Sequence, residues 1–238
     1  MRPSAASAVM CAVALTAPGS ALAVCTPSAR SPTAIDVSND ASKQGFRATV
    51  RAIDNTVAEM TSVSWREGCP VALADLRLIE LTHHDFAGQQ QVGELVVHRD
   101  VAREVARAFR HLYRAGFPIR SMRRVDAFAG NDDASMAADN TSAFNCRAKT
   151  GGSTSWSVHS YGRAIDINPV ENPYVRGTTV LPPAGRAFVD RTDIRPGMIV
   201  AGDAATASPP GMAWGDHWAT LKDYQHLERP ASPTPYET

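Results

Sequence analysis

The chain has 238 residues, its 24 Lys plus Arg are balanced by 24 Asp plus Glu, and 44% of it is hydrophobic. That length allows one large domain or two small ones, and neutrality argues against nucleic-acid binding, which usually shows an excess or dense cluster of Lys and Arg. Four Cys are too few for a disulfide-built scaffold, so any disulfide here staples a core that forms by burial.

The first residues read as a secretory signal. Arg2 is followed by an apolar stretch from Ala5 to Ala17, a helix break at Pro18-Gly19, and small residues in Ala21-Leu22-Ala23, the order of a cleavable signal over residues 1–23. Its apolar part, about 13 residues, is short of the roughly 20 that span a bilayer. No later segment is as long and apolar, so no transmembrane segment is expected, and the protein is expected to be secreted, periplasmic or associated with the cell wall. Cleavage removes Cys11 and leaves Cys25, Cys69 and Cys146 in an oxidising setting. Three is odd, so one thiol is free, pairs between chains or is modified. Cys25 lies close enough to the cleavage site to raise lipidation, but Val24 is larger than the residue that normally precedes a lipidated cysteine. Cys69 with Cys146 is the favoured internal pair.

Residues 24–45 are polar and rich in Ser, Thr and Pro, which predicts a flexible leader before a domain over 46–228. Ala52 to Val63 has helical spacing in Ile53, Val57 and Met60, ended by Gly68-Cys69-Pro70. Leu76 to Thr82 and Gly93 to Val97 read as strands joined by the polar turn Phe86 to Gln91. His83-His84-Asp85 reads as a polar turn. Asp100 is expected to cap a helix whose stripe is Val101, Val105, Ala108, Phe109 and Leu112, stopped by Gly116 and Pro118. Arg103, Arg107, Arg110 and Arg114 would form its solvated face. Gly130 to Ser155 is a long polar region expected to be a loop. Its Asp132-Asp133 lacks the alternating oxygen ligands of a calcium loop. The tail over 229–238, with Pro230, Pro233 and Pro235, is expected to be disordered. Strands and helices mix without regular β-α alternation, and no repeat or glycine-rich phosphate loop occurs, so the fold class is α+β.

The chemistry concentrates between Ser157 and Glu228. SVHSYGRAIDINP (Ser157 to Pro169) holds a His and an Asp seven residues apart with Gly162 between them. As a strand, Ala164 to Asn168 sends Ile165 and Ile167 into the core and leaves Asp166 on the opposite face. KDYQHLE (Lys222 to Glu228) adds a second His with a carboxylate three residues before it. His159, Asp166 and His226 form a plausible zinc set with a fourth position open to water, and the remaining carboxylate can act as its base. His98, His111 and His217 have no partner at ligand spacing and read as structural or surface residues.

The pair of motifs, SVHSYGRAID followed about 60 residues later by DYQHLE, resembles the zinc D-alanyl-D-alanine carboxypeptidase family, which includes vancomycin-resistance D,D-peptidases and phage or bacterial L-alanyl-D-glutamate endopeptidases. The likeness extends to SWREGCPV, DDASMAADNTSAFNCR and DINPVENPY. It implies a single α+β domain of D,D-peptidase/Hedgehog-like form, a central antiparallel sheet with flanking helices. It implies Zn2+ held by His159, Asp166 and His226, with Asp223 as the carboxylate that takes the water proton and returns it to the leaving amine. Three residues apart on an ideal strand face opposite sides, so Asp223 is expected in a turn before the strand of His226, or the segment is helical. Ser157 would hold substrate or the His159 loop, and Arg147 or Arg124 would clamp a terminal carboxylate. Two departures stand out: VDAFAG replaces the Gly-Tyr-Arg-Ser-like segment common in relatives, and Asp216-His217 replaces a Gly before Trp218.

The implied activity is hydrolysis of peptidoglycan stem peptides by a monomer, as a D-alanyl-D-alanine carboxypeptidase or as the related endopeptidase. A non-catalytic descendant that binds cell-wall peptide is the other alternative. No Ser-x-x-Lys, Gly-x-Ser-x-Gly or His-Glu-x-x-His occurs. A cysteine peptidase built on Cys69 or Cys146 with His159 conflicts with an oxidising compartment.

Overall fold

The computed structural model describes residues 35–36, 45–150, 154–202 and 212–229. Its first sheet follows from period-2 patterning: β1 (Ile35–Asp36), β2 (Ala48–Ala52), β3 (Leu76–His84) and β4 (Gln90–His98) pair antiparallel in that order. Within β3, Ile79 and Leu81 enter the main core, while Leu76 and Leu78 enter a second cluster on the other face. His83 and His84 extend the hairpin rather than forming a turn, pairing with Gln91 and Gln90, and only Asp85 turns. There Asp85 Oδ1 accepts from the amides of Ala87 and Gln89, both at 2.9 Å, an Asx-type turn. β1 lies inside the stretch expected to be a flexible leader; most of that leader, the expected signal segment and residues 230–238 lie outside the described residues.

α1 (Asn55–Met60) links β2 to β3 and buries Val57. α2 (Ala102–Arg114) buries Val105, Phe109 and Leu112 against β3, with Arg103, Arg107 and Arg114 exposed. Its N-cap is Val101, with no side-chain hydrogen bond. Asp100, the expected cap, instead binds the Arg163 guanidinium at 2.7 Å, because a cation is a stronger partner for a carboxylate than a backbone amide.

The long polar stretch after Gly130 contains regular structure. Asn131 Oδ1 accepts from Ala134 N at 2.9 Å and starts α3 (Asp132–Ala137). β5 (Ser121–Met122) and β6 (Asn140–Thr141) form a short parallel pair. The chain then runs along β4, with Phe144 N donating to Val96 O at 3.0 Å. Cys146 and Cys69 form a disulfide across 77 residues of sequence, within the second cluster.

The second sheet comprises β7 (Ala164–Asp166), β8 (Tyr174–Arg176), β9 (Thr179–Leu181), β10 (Ala213–Gly215) and β11 (Lys222–Glu228). Its order is β10-β11-β8-β9, with β7 also paired to β11. The fold is thus α+β, but its strands divide between two antiparallel sheets and a short parallel pair instead of one central sheet. Both sheets contribute to the main core, through Ile79 and Leu95 from one and Ile165, Trp214 and Leu227 from the other. Pro32–Thr238 forms one compact unit. Among the described residues, no helix is long and apolar enough to cross a membrane.

Candidate metal centre

Three local structures deliver three ligating side chains. His159 sits on a 3-10 turn, Val158–Tyr161, capped by Ser157, whose Oγ accepts from His159 N at 3.3 Å. The turn ends at Gly162 with φ of 66°, and a Cβ there would stand 2.6 Å from His98 N, so both conformation and space require glycine. Ser160, fully buried, accepts from Arg147 N at 2.9 Å and ties the turn to the segment after β6. Asp166 ends β7, and His226 lies directly opposite it on β11, so their side chains share one face.

The donors converge. His159 Nε2 is 3.1 Å from His226 Nδ1 and 3.1 Å from Asp166 Oδ2, and His226 Nδ1 is 3.1 Å from Asp166 Oδ1. Ligands bound at roughly 2.0–2.1 Å to a tetrahedral ion stand roughly 3.3 Å apart, so the triangle fits zinc. His159 Nδ1 lies 2.6 Å from Ala143 O. A carbonyl only accepts, so Nδ1 carries the proton and Nε2 turns a lone pair toward Asp166. His226 Nε2 meets Glu228 Oε2 at 3.0 Å, the carboxylate-histidine arrangement that orients metal ligands. Burial opposes a charge on His226, but Asp166 and Glu228 on either side outweigh it and push its pKa up to about 10. This is therefore a place that calls for positive charge, and a divalent cation supplies it in exchange for that proton.

Asp223 reaches the same cleft through an irregularity in β11. Trp214 pairs with Leu227, but the next residue, Gly215, pairs with Asp223, so the register slips between them. The opposite edge of β11 also changes partner, from β8 at Asp223 to β7 at His226. The bulge turns both side chains to one face. Asp223 is thus within the strand, not in a preceding turn. Gly215 makes this possible, since a Cβ there would meet Asp223 O at 2.5 Å. Asp223 Oδ1 is buried and has no hydrogen-bond partner among the described residues. Burial pushes its carboxyl up to about 6, with His226 pulling it down and Asp166 raising it.

These residues share a cleft of about 300 Å³. Ser157 and Arg147 line it, but Arg147 is already paired with Asp132 at 2.9 Å. Arg124 does not line it. It lies in a separate depression with Met122 and Asp126, paired with Glu94 at 2.9 Å. Cleft residues that sequence reasoning missed include Tyr174, Arg176 and Leu181 from β8 and β9, for which no motif gave a signal. The role of Glu228 was legible, since two residues on from His226 a strand returns to the same face. The Trp218 ring stacks at a tilt 5.2 Å from that of His226.

Residues 150–229 match the family model described as D-alanyl-D-alanine carboxypeptidase. The matched segment, about a third of the chain, contains His159, Asp166, Asp223 and His226, and its likeness to that family supports a peptidase. No curated protein and no solved structure matches the chain.

Proposed function

We propose that the protein is a zinc-dependent peptidase of peptidoglycan stem peptides that removes the terminal D-alanine. The observation behind this reading is the buried His159, Asp166 and His226 triangle with a fourth polar group, Asp223, in the same cleft. A zinc ion held there would supply acidification of a water and polarisation of the scissile carbonyl.

The chain's own groups do the rest. Ala143 O and Glu228 Oε2 fix the two imidazoles so that one nitrogen of each faces Asp166. Asp223 Oδ1, buried without a donor, accepts the proton of the attacking water and delivers it to the leaving amine. Trp218, Leu221 and Met136 line the cleft with apolar surface that excludes bulk water. Ser157 and Arg147 contact substrate at the cleft wall, whereas Arg124 has no part in this reading. Secretion behind the signal over 1–23 gives access to the wall and an oxidising setting for the Cys69–Cys146 bridge.

Digestion of purified muropeptides by the secreted, zinc-loaded protein, followed by mass spectrometry with and without chelator, tests this. Loss of one terminal alanine, abolished by chelation and restored by zinc, is expected. Full activity in chelator without bound zinc would overturn it.

A further inference from the structure

We propose that the cleft selects a peptide with a carboxylate on each side of the bond it cuts, one met by Arg176 and the other by Lys149; this rests on the peptidase reading above. Three cations line the cleft: Arg147, Lys149 and Arg176. The charge of Arg147 is balanced by Asp132 at 2.9 Å. Among the described residues, the side chains of Lys149 and Arg176 make no hydrogen bond or ion pair, so these two remain available to a ligand.

The two cations stand at opposite ends of the site. Arg176 follows Tyr174 by two residues on β8, hence on the same strand face, and Tyr174 pairs with Asp223. Lys149 belongs to another element, where Ala148 bridges Trp156 and Lys149 N donates to Ser155 O at 3.0 Å. Its charge is felt at Glu228, the far end of β11. From Asp223 to Glu228 is five residue steps, at most roughly 16 Å of strand, and His226 of the ligand triangle lies between them. A guanidinium binds a carboxylate with its planar fork, and an ammonium binds it as a point charge.

This layout discriminates between bonds. In the pentapeptide L-Ala-γ-D-Glu-L-Lys-D-Ala-D-Ala, the glutamyl α-carboxylate and the terminal carboxylate are four residues apart, roughly 14 Å when extended. They flank the D-Ala–D-Ala bond, whereas both lie on the same side of the L-Ala–D-Glu bond. Cations at both ends therefore match cleavage of the D,D bond and mismatch cleavage of the L,D bond.

Calorimetric titration of zinc-loaded Asp223→Asn with this pentapeptide, its glutamyl α-amide and its C-terminal amide reads the charge preference without turnover. Each amidation should weaken binding about tenfold, as for loss of a charge-assisted hydrogen bond. Adding Arg176→Gln should erase the effect of one amidation and Lys149→Gln that of the other, with zinc content unchanged in both. Equal binding of the three peptides, or amidation effects that survive both substitutions, would overturn the proposal. Wild-type turnover is scored separately: release of terminal alanine is expected, and release of N-terminal alanine would refute the bond choice. Absence of any turnover with zinc bound would refute the peptidase reading, while the binding series still decides the charge layout.

Discussion

Asp223 and His226, three residues apart on one strand, face the same cleft because β11 slips register between them and exchanges β8 for β7 as its partner. A regular strand would send the two side chains to opposite faces. The bulge therefore creates the juxtaposition of a metal ligand and a carboxylate on which the proposed chemistry depends.

Asp223→Asn keeps the shape of the side chain and removes its basicity. Zinc stoichiometry by elemental analysis should match wild type, while muropeptide turnover falls at least about 100-fold, the usual contribution of a positioned base. An active variant would remove Asp223 from the mechanism.

The same residue sets the acid limb of the pH profile. Its carboxyl must be ionised to accept a proton. Burial lifts it to about 6, and a bound cation pulls it down. kcat/KM should rise tenfold per pH unit along a limb that ends at or below about pH 6, and the residual activity of Asp223→Asn should lack that limb.

Zinc uptake should displace the proton that Asp166 and Glu228 hold on His226. Calorimetry in buffers of different ionisation heat should report release of about one proton per zinc near neutral pH. Glu228→Gln should release less and bind zinc about 10–100-fold more weakly, the range for loss of a group that orients a ligand.

Gly215→Ala forces a methyl to within 2.5 Å of Asp223 O, so the β10–β11 ladder must shift. We expect turnover at least about tenfold lower with zinc retained, a sensitivity typical of catalytic groups displaced by fractions of an ångström. Wild-type kcat in this variant would show that the close approach is dispensable.

The Cys69–Cys146 bridge closes a loop across 77 residues. In the chain-entropy picture this constrains the unfolded state by about 4 kcal/mol. Replacing both cysteines by Ser should lower stability to denaturant by an amount of that order, and a reductant should destabilise wild type but not the double variant.

Local order and the identity of the metal set were legible in the sequence, because both depend on neighbouring residues. The α2 stripe and the β3–β4 pattern are periodic, and SVHSYGRAID with DYQHLE places two His and an Asp at spacings that neither a helix nor a core requires. Where local rules met a tertiary competitor, they failed. Asp100 left its cap for Arg163, and the stretch after Gly130, polar enough to read as a loop, gained α3 and β6. His83 and His84 joined β3 because the opposite strand offered them a ladder.

The sequence alone determined which residues could ligate a metal, since imidazole and carboxylate chemistry travels with residue type. Only the tertiary structure decided which charges remain free to act. Arg147 is balanced by Asp132, Arg124 by Glu94 in another depression, and Arg176 arrives on a hairpin that no motif marks. The physical reason is that a side chain's availability depends on partners brought from far along the chain, and the energy of an ion pair depends on that separation and burial rather than on position in sequence.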